Sequence, residues 1–227
     1  MMNFGYRMDN GFYLFFPTFT TSYLNSRMEI EVYPKTEALI FDLDGTLADT
    51  MPLHLKAWQK TCLDHGFEYP NEMFYQLAGL SSGKIADILI KKVNLQDSID
   101  PVDFASQKEN SFLTMHNRIS PIIPVVKIVY RYHEKMPMAV GSGGSKRAVL
   151  KTLEALDLKK YFDVIVTAED VENHKPAPDT FLLCARGMDV FPELCQVFED
   201  GDRGIEAARR AGMMVTDITP WYPKHRS

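Results

Sequence analysis

Five short apolar runs, each ending at a glycine or at a small polar or acidic residue, constrain the fold of this chain more than any other feature. They lie at residues 38–41, 138–140, 164–166, 196–198 and 214–216. Continuous apolar runs of this length are typical of parallel strands that are buried on both faces. Helical patterns, for example at residues 145–156 and 204–211, alternate with the later runs. The alternation predicts an α/β protein with a Rossmann-like, doubly wound parallel sheet, which binds ligands at the carboxyl ends of its strands.

Residues 51–119 interrupt this alternation, because they show consecutive helical patterns without a buried strand. Pro52 marks the first turn of the first helix, and Asp100-Pro101 marks the start of the last one. We therefore predict a helical cap at residues 51–119, inserted into a core formed by residues 35–50 and 120–227. Residues 1–34 are aromatic-rich without periodicity, and we expect an N-terminal extension that is disordered or follows from a mis-called start.

Length, charge and cysteine content limit the class of protein. The 227 residues accommodate one sizeable α/β domain with a smaller insert. A net charge of -5 gives no general attraction to nucleic acid or anionic lipid, so we expect neither partner. We also expect a monomer. The three cysteines lack metal-ligand spacing, and the apolar stretch near the N-terminus is too short to span a bilayer. These features predict a cytoplasmic protein.

Asp42 and Asp44 directly follow the first run, and Gly45 and Thr46 then allow a sharp turn. Residues two apart at a strand end project to the same side, so both carboxylates can enter one site. Such a pair can hydrolyse a phosphate ester, with Asp42 as the nucleophile and Asp44 as the general acid/base. The pair alone is equally compatible with an acidic turn after a strand.

A second acidic pair, Glu199-Asp200, follows the fourth run. If the first and fourth strands are neighbours, these carboxylates converge with Asp42 where a phosphate must also bind. Two unit charges about 4 Å apart repel by roughly 4 kcal/mol at an effective dielectric near 20, so a cation is needed. Oxygen ligands without His or Cys favour Mg²⁺, held by Asp42, Asp200, Glu199 through water, and the carbonyl of Asp44. The alternative for the pair is an acidic helix N-terminus, and Asp202 fits that alternative.

Two further segments suit phosphate binding. Ser142 and Gly143 lie in a glycine-rich turn between a strand and a helix, where backbone N–H groups and a hydroxyl can hold phosphate oxygens. Lys175 lies in a proline-rich turn before another helix, where its ammonium group can screen phosphate from the carboxylates. Taken singly, the first is also typical of a helix cap and the second of a surface lysine.

The order of these motifs resembles the haloacid dehalogenase superfamily over residues 36–218. The match consists of DxDGT, a serine after a strand, KPxPD, and an acidic pair before GIxAAxxAGM. The resemblance implies a nucleophile at Asp42, an acid/base at Asp44, phosphate binding by Ser142 and Lys175, and metal binding by Glu199 and Asp200. Within the superfamily, the chain resembles the β-phosphoglucomutase-like proteins, and residues 174–185 resemble their fructose-1-phosphate and 6-phosphogluconate phosphatases.

The cap carries three residues of interest. His54 matches a histidine that in relatives positions the acid/base when the cap closes. Ser82 stands where the mutases have an arginine for a second phosphate, and Lys84 can replace that arginine. In the core, Gly201 stands where relatives usually have serine.

These features favour a Mg²⁺-dependent phosphatase acting on a small sugar phosphate, because a mutase needs fixed cationic groups in its cap to retain a bisphosphate. Thr46 points the same way, since the mutases tend to have valine there. β-Phosphoglucomutase remains the alternative because of Lys84. A more distant alternative is a non-catalytic phospho-aspartate signalling module, which would lack a helical cap.

Overall fold

The computed structural model describes residues 29–222, apart from the side chain of Tyr75, and contains a five-stranded parallel sheet. Its strands are β1 (Ala38–Phe41), β2 (Met138–Gly141), β3 (Val164–Val166), β4 (Cys195–Glu199) and β5 (Met214–Asp217). They lie in the order β3-β2-β1-β4-β5, and all pairs are parallel. The predicted α/β fold class is therefore confirmed. Strands β2, β4 and β5 extend one residue beyond the predicted runs at the carboxyl end, so Glu199 is itself a strand residue.

Eight α-helices accompany the strands within the described residues. They are α1 (Met51–Asp64), α2 (Phe74–Leu77), α3 (Ser82–Lys92), α4 (Pro101–Leu113), α5 (Ile123–Tyr132), α6 (Lys146–Ala155), α7 (Asp179–Gly187) and α8 (Asp202–Arg210). Helix α8 begins two residues before the predicted start. No helix in the described part of the chain is both long and apolar enough to cross a membrane.

Side chains of β1 alternate between the two faces of the sheet, as the pleat requires. Leu39 and Phe41 belong to a buried cluster that includes residues of α5 and α6. Ala38 and Ile40 belong to a second cluster that includes residues of α7 and α8. Helices therefore cover both faces, which is why the central strands are apolar without interruption.

Helices α1 to α4 lie in the segment predicted to form a cap and share an apolar cluster of their own, which includes Trp58, Leu89 and Phe104. Asp100 caps α4, since its Oδ1 accepts hydrogen bonds from the N–H groups of Val102 (2.8 Å) and Asp103 (2.9 Å). The chain passes from the sheet into this segment and later returns to the sheet. The two connecting stretches are adjacent, because Ala48 and Pro121 form an antiparallel β-bridge.

The described part of the N-terminal segment packs against the sheet. Ile30 is buried, and the side-chain amide of Gln196 bonds to the Tyr33 N–H and to the Glu31 carbonyl, each at 2.9 Å. The prediction of an extension at residues 1–34 otherwise concerns residues 1–28, which lie outside the described residues.

Candidate active site

Three carboxylates meet at the carboxyl ends of β1 and β4. Asp42 follows β1, Glu199 ends β4, and Asp200 comes next; one oxygen of each lies within 4.8 Å of the others. The strands are direct neighbours, with Phe41 opposite Phe198, so their pairing brings the two motifs together. Asp42 is only 7% exposed and Glu199 only 4%. The sequence-based expectation that these acidic groups converge is therefore met.

Lys175 reaches the same cluster from the loop between β3 and α7. Its Nζ donates to Asp42 Oδ1 at 2.7 Å and to Glu199 Oε2 at 2.8 Å, and the residue is 6% exposed. Burial by itself lowers the pKa of this ammonium, but the charges of Asp42 and Glu199 outweigh burial and raise it. Lys175 is thus a permanent cation inside the site.

One lysine does not balance the negative charge of two buried carboxylates and a third that is partly buried. Burial, and then the charge of Asp42, raise the pKa of Glu199 to about 8 and that of Asp200 to about 6. Burial likewise raises the pKa of Asp42, although Lys175 opposes the shift. A buried set of oxygen donors that resists ionisation in this way fits a hard divalent cation, which would stabilise the ionised forms.

Two glycines allow the carboxylates to lie this close to the backbone. Gly45 has a φ of 97°, and a Cβ there would overlap the carboxylate of Asp200. A Cβ on Gly204 would overlap the carboxylate of Glu199. The glycine of DxDGT and the glycine at the start of α8 are therefore required sterically by the acidic cluster.

Hydrogen bonds hold both oxygens of Asp200. Thr46 Oγ1 donates to Oδ1 at 2.9 Å, and the Tyr222 hydroxyl donates to Oδ2 at 2.5 Å. Glu199 Oε1 accepts from the N–H groups of Asp200 and Gly201, both at 3.1 Å. Tyr222 was not identified from the sequence, because a tyrosine after the last strand carries no motif.

Asp44 occupies different surroundings from Asp42. Its Oδ1 accepts a hydrogen bond from Thr50 Oγ1 at 2.7 Å and lies 3.2 Å from His54 Nε2. Burial tends to raise the pKa of Asp44, but His54, Thr50 and the charge of Lys108 together lower it. The predicted contact between a cap histidine and the acid/base candidate is therefore present.

Lys108 on α4 lies behind His54 and was not identified from the sequence. Its Nζ is 2.9 Å from His54 Nδ1, and the residue is 5% exposed. An ammonium group can only donate, so Nδ1 accepts and the ring proton resides on Nε2, where it points at Asp44. Burial, and then the charge of Lys108, lower the pKa of His54, although the charge of Asp44 and its hydrogen bond oppose the shift. The sequence does contain an indication that Lys108 is buried, because its spacing places it between Phe104 and Phe112 on one buried face of α4.

The predicted phosphate loop follows β2. Ser142 is buried, and its Oγ accepts a hydrogen bond from the Gly144 N–H at 3.0 Å. A Cβ on Gly144 would lie 3.3 Å from that Oγ, whereas a Cβ on Gly143 would meet nothing within 4 Å. A side chain at position 144 would therefore crowd Ser142, whereas a Cβ at position 143 would have open space around it.

A second set of polar contacts joins α4 to the start of α6, and we call it the cap clasp. Ser145 Oγ donates to Glu109 Oε2 at 2.5 Å, and Arg147 Nη1 donates to Asn110 Oδ1 at 2.9 Å. Ser145 also accepts from the Ala148 N–H at 3.2 Å as the N-cap of α6. The clasp ties the cap helix that carries Lys108 to the end of the phosphate loop.

The structure does not bring Ser82 and Lys84 to the acidic cluster. Both lie in the first turn of α3, and the side chain of Lys84 is exposed. Within the described residues, neither side chain forms a hydrogen bond or ion pair with the carboxylates of the core. The cap loop instead approaches Arg203 of α8, since a Cβ on Gly79 would lie 3.0 Å from the Arg203 Cδ.

Comparison with known proteins agrees with this arrangement. The fructose-1-phosphate phosphatase YqaB of Escherichia coli is 42% identical over 187 residues, which cover 82% of this chain and 98% of that protein. The phosphorylated carbohydrates phosphatase of Thermotoga maritima is 31% identical over 179 residues, covering 78% and 82%. The crystal structure of β-phosphoglucomutase from Clostridium difficile matches with a TM-score of 0.71 and 27% identity, covering 84% and 95%. A family profile described as haloacid dehalogenase-like hydrolase matches residues 39–218. The chain therefore belongs to the haloacid dehalogenase-like hydrolase family.

Proposed function

We propose that this chain is a Mg²⁺-dependent phosphatase that hydrolyses a small sugar phosphate through an aspartyl-phosphate on Asp42. The observation that carries the proposal is the different placement of two carboxylates only two residues apart. Asp42 contacts Lys175 within the acidic cluster, whereas Asp44 contacts Thr50 and His54 at the cap. Carboxylates in such different surroundings are suited to different roles.

In the first half-reaction, a carboxylate oxygen of Asp42 attacks phosphorus, and the bond from phosphorus to the sugar oxygen breaks. Asp44 gives its proton to the departing oxygen. Lys175, Ser142 and the backbone N–H of Gly143 are the groups available to hold the phosphate oxygens. The lowered pKa of Asp44 favours its ionised form, but an approaching phosphate dianion raises that pKa, so protonation accompanies substrate binding.

In the second half-reaction, water attacks phosphorus and its proton goes to Asp44, while the bond from phosphorus to Asp42 breaks. This step regenerates the Asp42 carboxylate and the protonated Asp44, and it releases inorganic phosphate. The hydrogen bonds from Thr50 and from His54 Nε2 orient Asp44 for this role as general base. Lys108 supports the role by fixing the tautomer of His54.

Asp42, Glu199 and Asp200 are the residues that would hold Mg²⁺, together with the carbonyl of Asp44 as a further ligand. When bound, the ion supplies the positive charge that allows these carboxylates and a phosphate to share one site. The raised pKa values of Glu199 and Asp200 support this assignment, because they show that Lys175 alone leaves the cluster short of positive charge.

The substrate class is supported by the relatives. The Escherichia coli protein is named for fructose-1-phosphate and the Thermotoga maritima protein for phosphorylated carbohydrates. We therefore propose a small sugar phosphate, with fructose-1-phosphate as the first compound to test.

β-Phosphoglucomutase activity is the second candidate, and Arg203 is the observation that favours it. The exposed Lys84 does not supply a cation close to the acidic cluster, but the side chain of Arg203 packs against Gly79 in the cap loop. A guanidinium there stands where cap and core face each other and can bind a second phosphate.

A phosphate-release screen over sugar phosphates, with and without EDTA, tests the proposal. We expect Mg²⁺-dependent release from fructose-1-phosphate or a similar compound. A parallel assay follows conversion of β-glucose-1-phosphate to glucose-6-phosphate. Efficient isomerisation with little free phosphate would overturn the phosphatase in favour of the mutase, and undiminished release in EDTA would overturn the metal requirement.

A further inference from the structure

We propose that Tyr222 is a positioning residue that holds the metal ligand Asp200 in its binding orientation and so raises the affinity of the site for Mg²⁺. This inference rests on the proposed function, in which Asp200 is a ligand. It adds to the site a residue from the C-terminal segment, which lies outside every motif described above.

The chain after β5 is anchored so that it returns to the acidic cluster. The Ile218 N–H donates to the carbonyl of Glu199 at 2.9 Å, and the Ile218 side chain is fully buried. Asp217 Oδ1 accepts from the N–H and the hydroxyl of Thr219, at 2.8 Å and 2.7 Å. These contacts fix the direction of the short 3₁₀ helix Thr219–Trp221, which ends next to Tyr222.

The ring of Tyr222 packs against the hydrophobic cluster that contains β1 and β4 residues, and its hydroxyl points at Asp200. Together with Thr46, it provides a donor for each carboxylate oxygen: Tyr222 binds Oδ2 at 2.5 Å and Thr46 binds Oδ1 at 2.9 Å. A carboxylate oxygen accepts more than one bond, so both donors leave room for a metal ion.

Asp200 needs such support because neighbouring residues do not supply it. It lies in the turn between β4 and α8, where the sheet no longer constrains the backbone. The next residue, Gly201, has no side chain, and Gly45 only leaves space for the carboxylate. Partners that orient a metal ligand in this way typically account for about 10- to 100-fold in metal affinity.

Calorimetric titration of the full-length protein with MgCl₂, without substrate, tests the inference on Tyr222→Phe. The variant keeps the ring and removes only the hydroxyl. We expect its Kd for Mg²⁺ to rise about tenfold. Tyr132→Phe is the matched control, because Tyr132 packs against the same cluster from the end of α5, shortly before β2 begins. Melting curves in EDTA verify that both variants unfold cooperatively.

The phosphate-release assay gives a second measurement that a general loss of structure would not reproduce. We expect Tyr222→Phe to need more Mg²⁺ for half-maximal activity while its rate at saturating Mg²⁺ approaches that of the wild type. An unchanged Mg²⁺ affinity in Tyr222→Phe, alongside measurable binding by the wild type, would overturn the inference and leave the proposed function intact. Absence of Mg²⁺ binding by the wild type would overturn the metal requirement itself.

Discussion

The site combines two parts that are held in different ways, one from the core and one from the cap. In the core, Asp42 and Glu199 extend from neighbouring strands whose backbone pairing sets their separation. In the cap, His54 and Lys108 extend from α1 and α4, and their position relative to the core depends on side-chain contacts such as those of the cap clasp. A single side-chain hydrogen bond contributes only about 0.5–1.5 kcal/mol, so the cap can open more easily than the sheet can deform.

This difference separates two functions. In the proposed mechanism the core residues determine which reaction is possible, because they supply the nucleophile and the acidic cluster. In the same mechanism the cap residues orient Asp44 for proton transfer, since His54 contacts Asp44 from α1. Substitutions in the core should therefore affect the chemical step most, and substitutions in the cap should affect the fraction of productive complexes.

The largest effect is expected for Asp42→Asn, which removes the proposed nucleophile of the core part. We expect phosphate release to fall by at least about 1000-fold with little loss of stability, because an amide of equal size is a poor nucleophile. Asp202→Asn is the control, since Asp202 is an exposed acidic residue at the start of α8. Near-wild-type turnover by Asp42→Asn in a steady-state assay would contradict the assignment of Asp42 as the nucleophile.

The next largest effect is expected for Lys108→Met, which breaks the cap part without replacing a residue of the core. Loss of the donor to Nδ1 frees the His54 tautomer, so we expect kcat to fall by about 10- to 100-fold. We expect only a small change in stability, because removal of a buried ammonium group is offset by the loss of the donor to His54 Nδ1.

Lys84→Met, an exposed lysine of the same cap, is the control for that experiment. Equal kcat values for the two variants and the wild type would contradict a role for Lys108 in orienting His54.

The charge of the core part should appear in the pH dependence of stability. The pKa of Glu199 is raised from 4.5 to about 8, by burial first and then by the charge of Asp42. Between these values the folded protein binds more protons than the unfolded chain, so its stability falls as the pH rises from about 4.5 to 8. We expect this fall in the melting temperature in EDTA, and a smaller fall with saturating Mg²⁺. An identical pH profile in both conditions would argue against a cation at Glu199.

The smallest effect is expected at the cap clasp. Glu109→Gln weakens the charged hydrogen bond to Ser145, and a loss of about 1 kcal/mol corresponds to roughly a fivefold increase in KM with a nearly unchanged kcat. Glu206→Gln on α8 is the control, since Glu206 forms an exposed ion pair with Arg210. A lower kcat without a change in KM would show that the clasp acts on the chemical step instead.

The residues predicted correctly from the sequence are those whose position follows from local rules. Asp42, Ser142 and Glu199 lie at the ends of apolar runs, and parallel strands bring such ends to one edge of a sheet. The predicted cap contact of His54 with Asp44 is also present. Ser82 and Lys84 were selected by motif position alone; they lie in the first turn of α3, and their role stays a prediction.

The sequence by itself therefore determined the parallel α/β fold, the convergence of the acidic groups and the family, because strand periodicity and motif order are local properties of the chain. Only the tertiary structure decided that Lys108 lies behind His54, that Tyr222 holds Asp200 and that Glu109 meets Ser145. These contacts join residues distant in sequence, and a polar residue on a helix or after a strand is usually solvated. Which partner such a polar residue finds depends on how the cap and the C-terminal segment pack against the sheet.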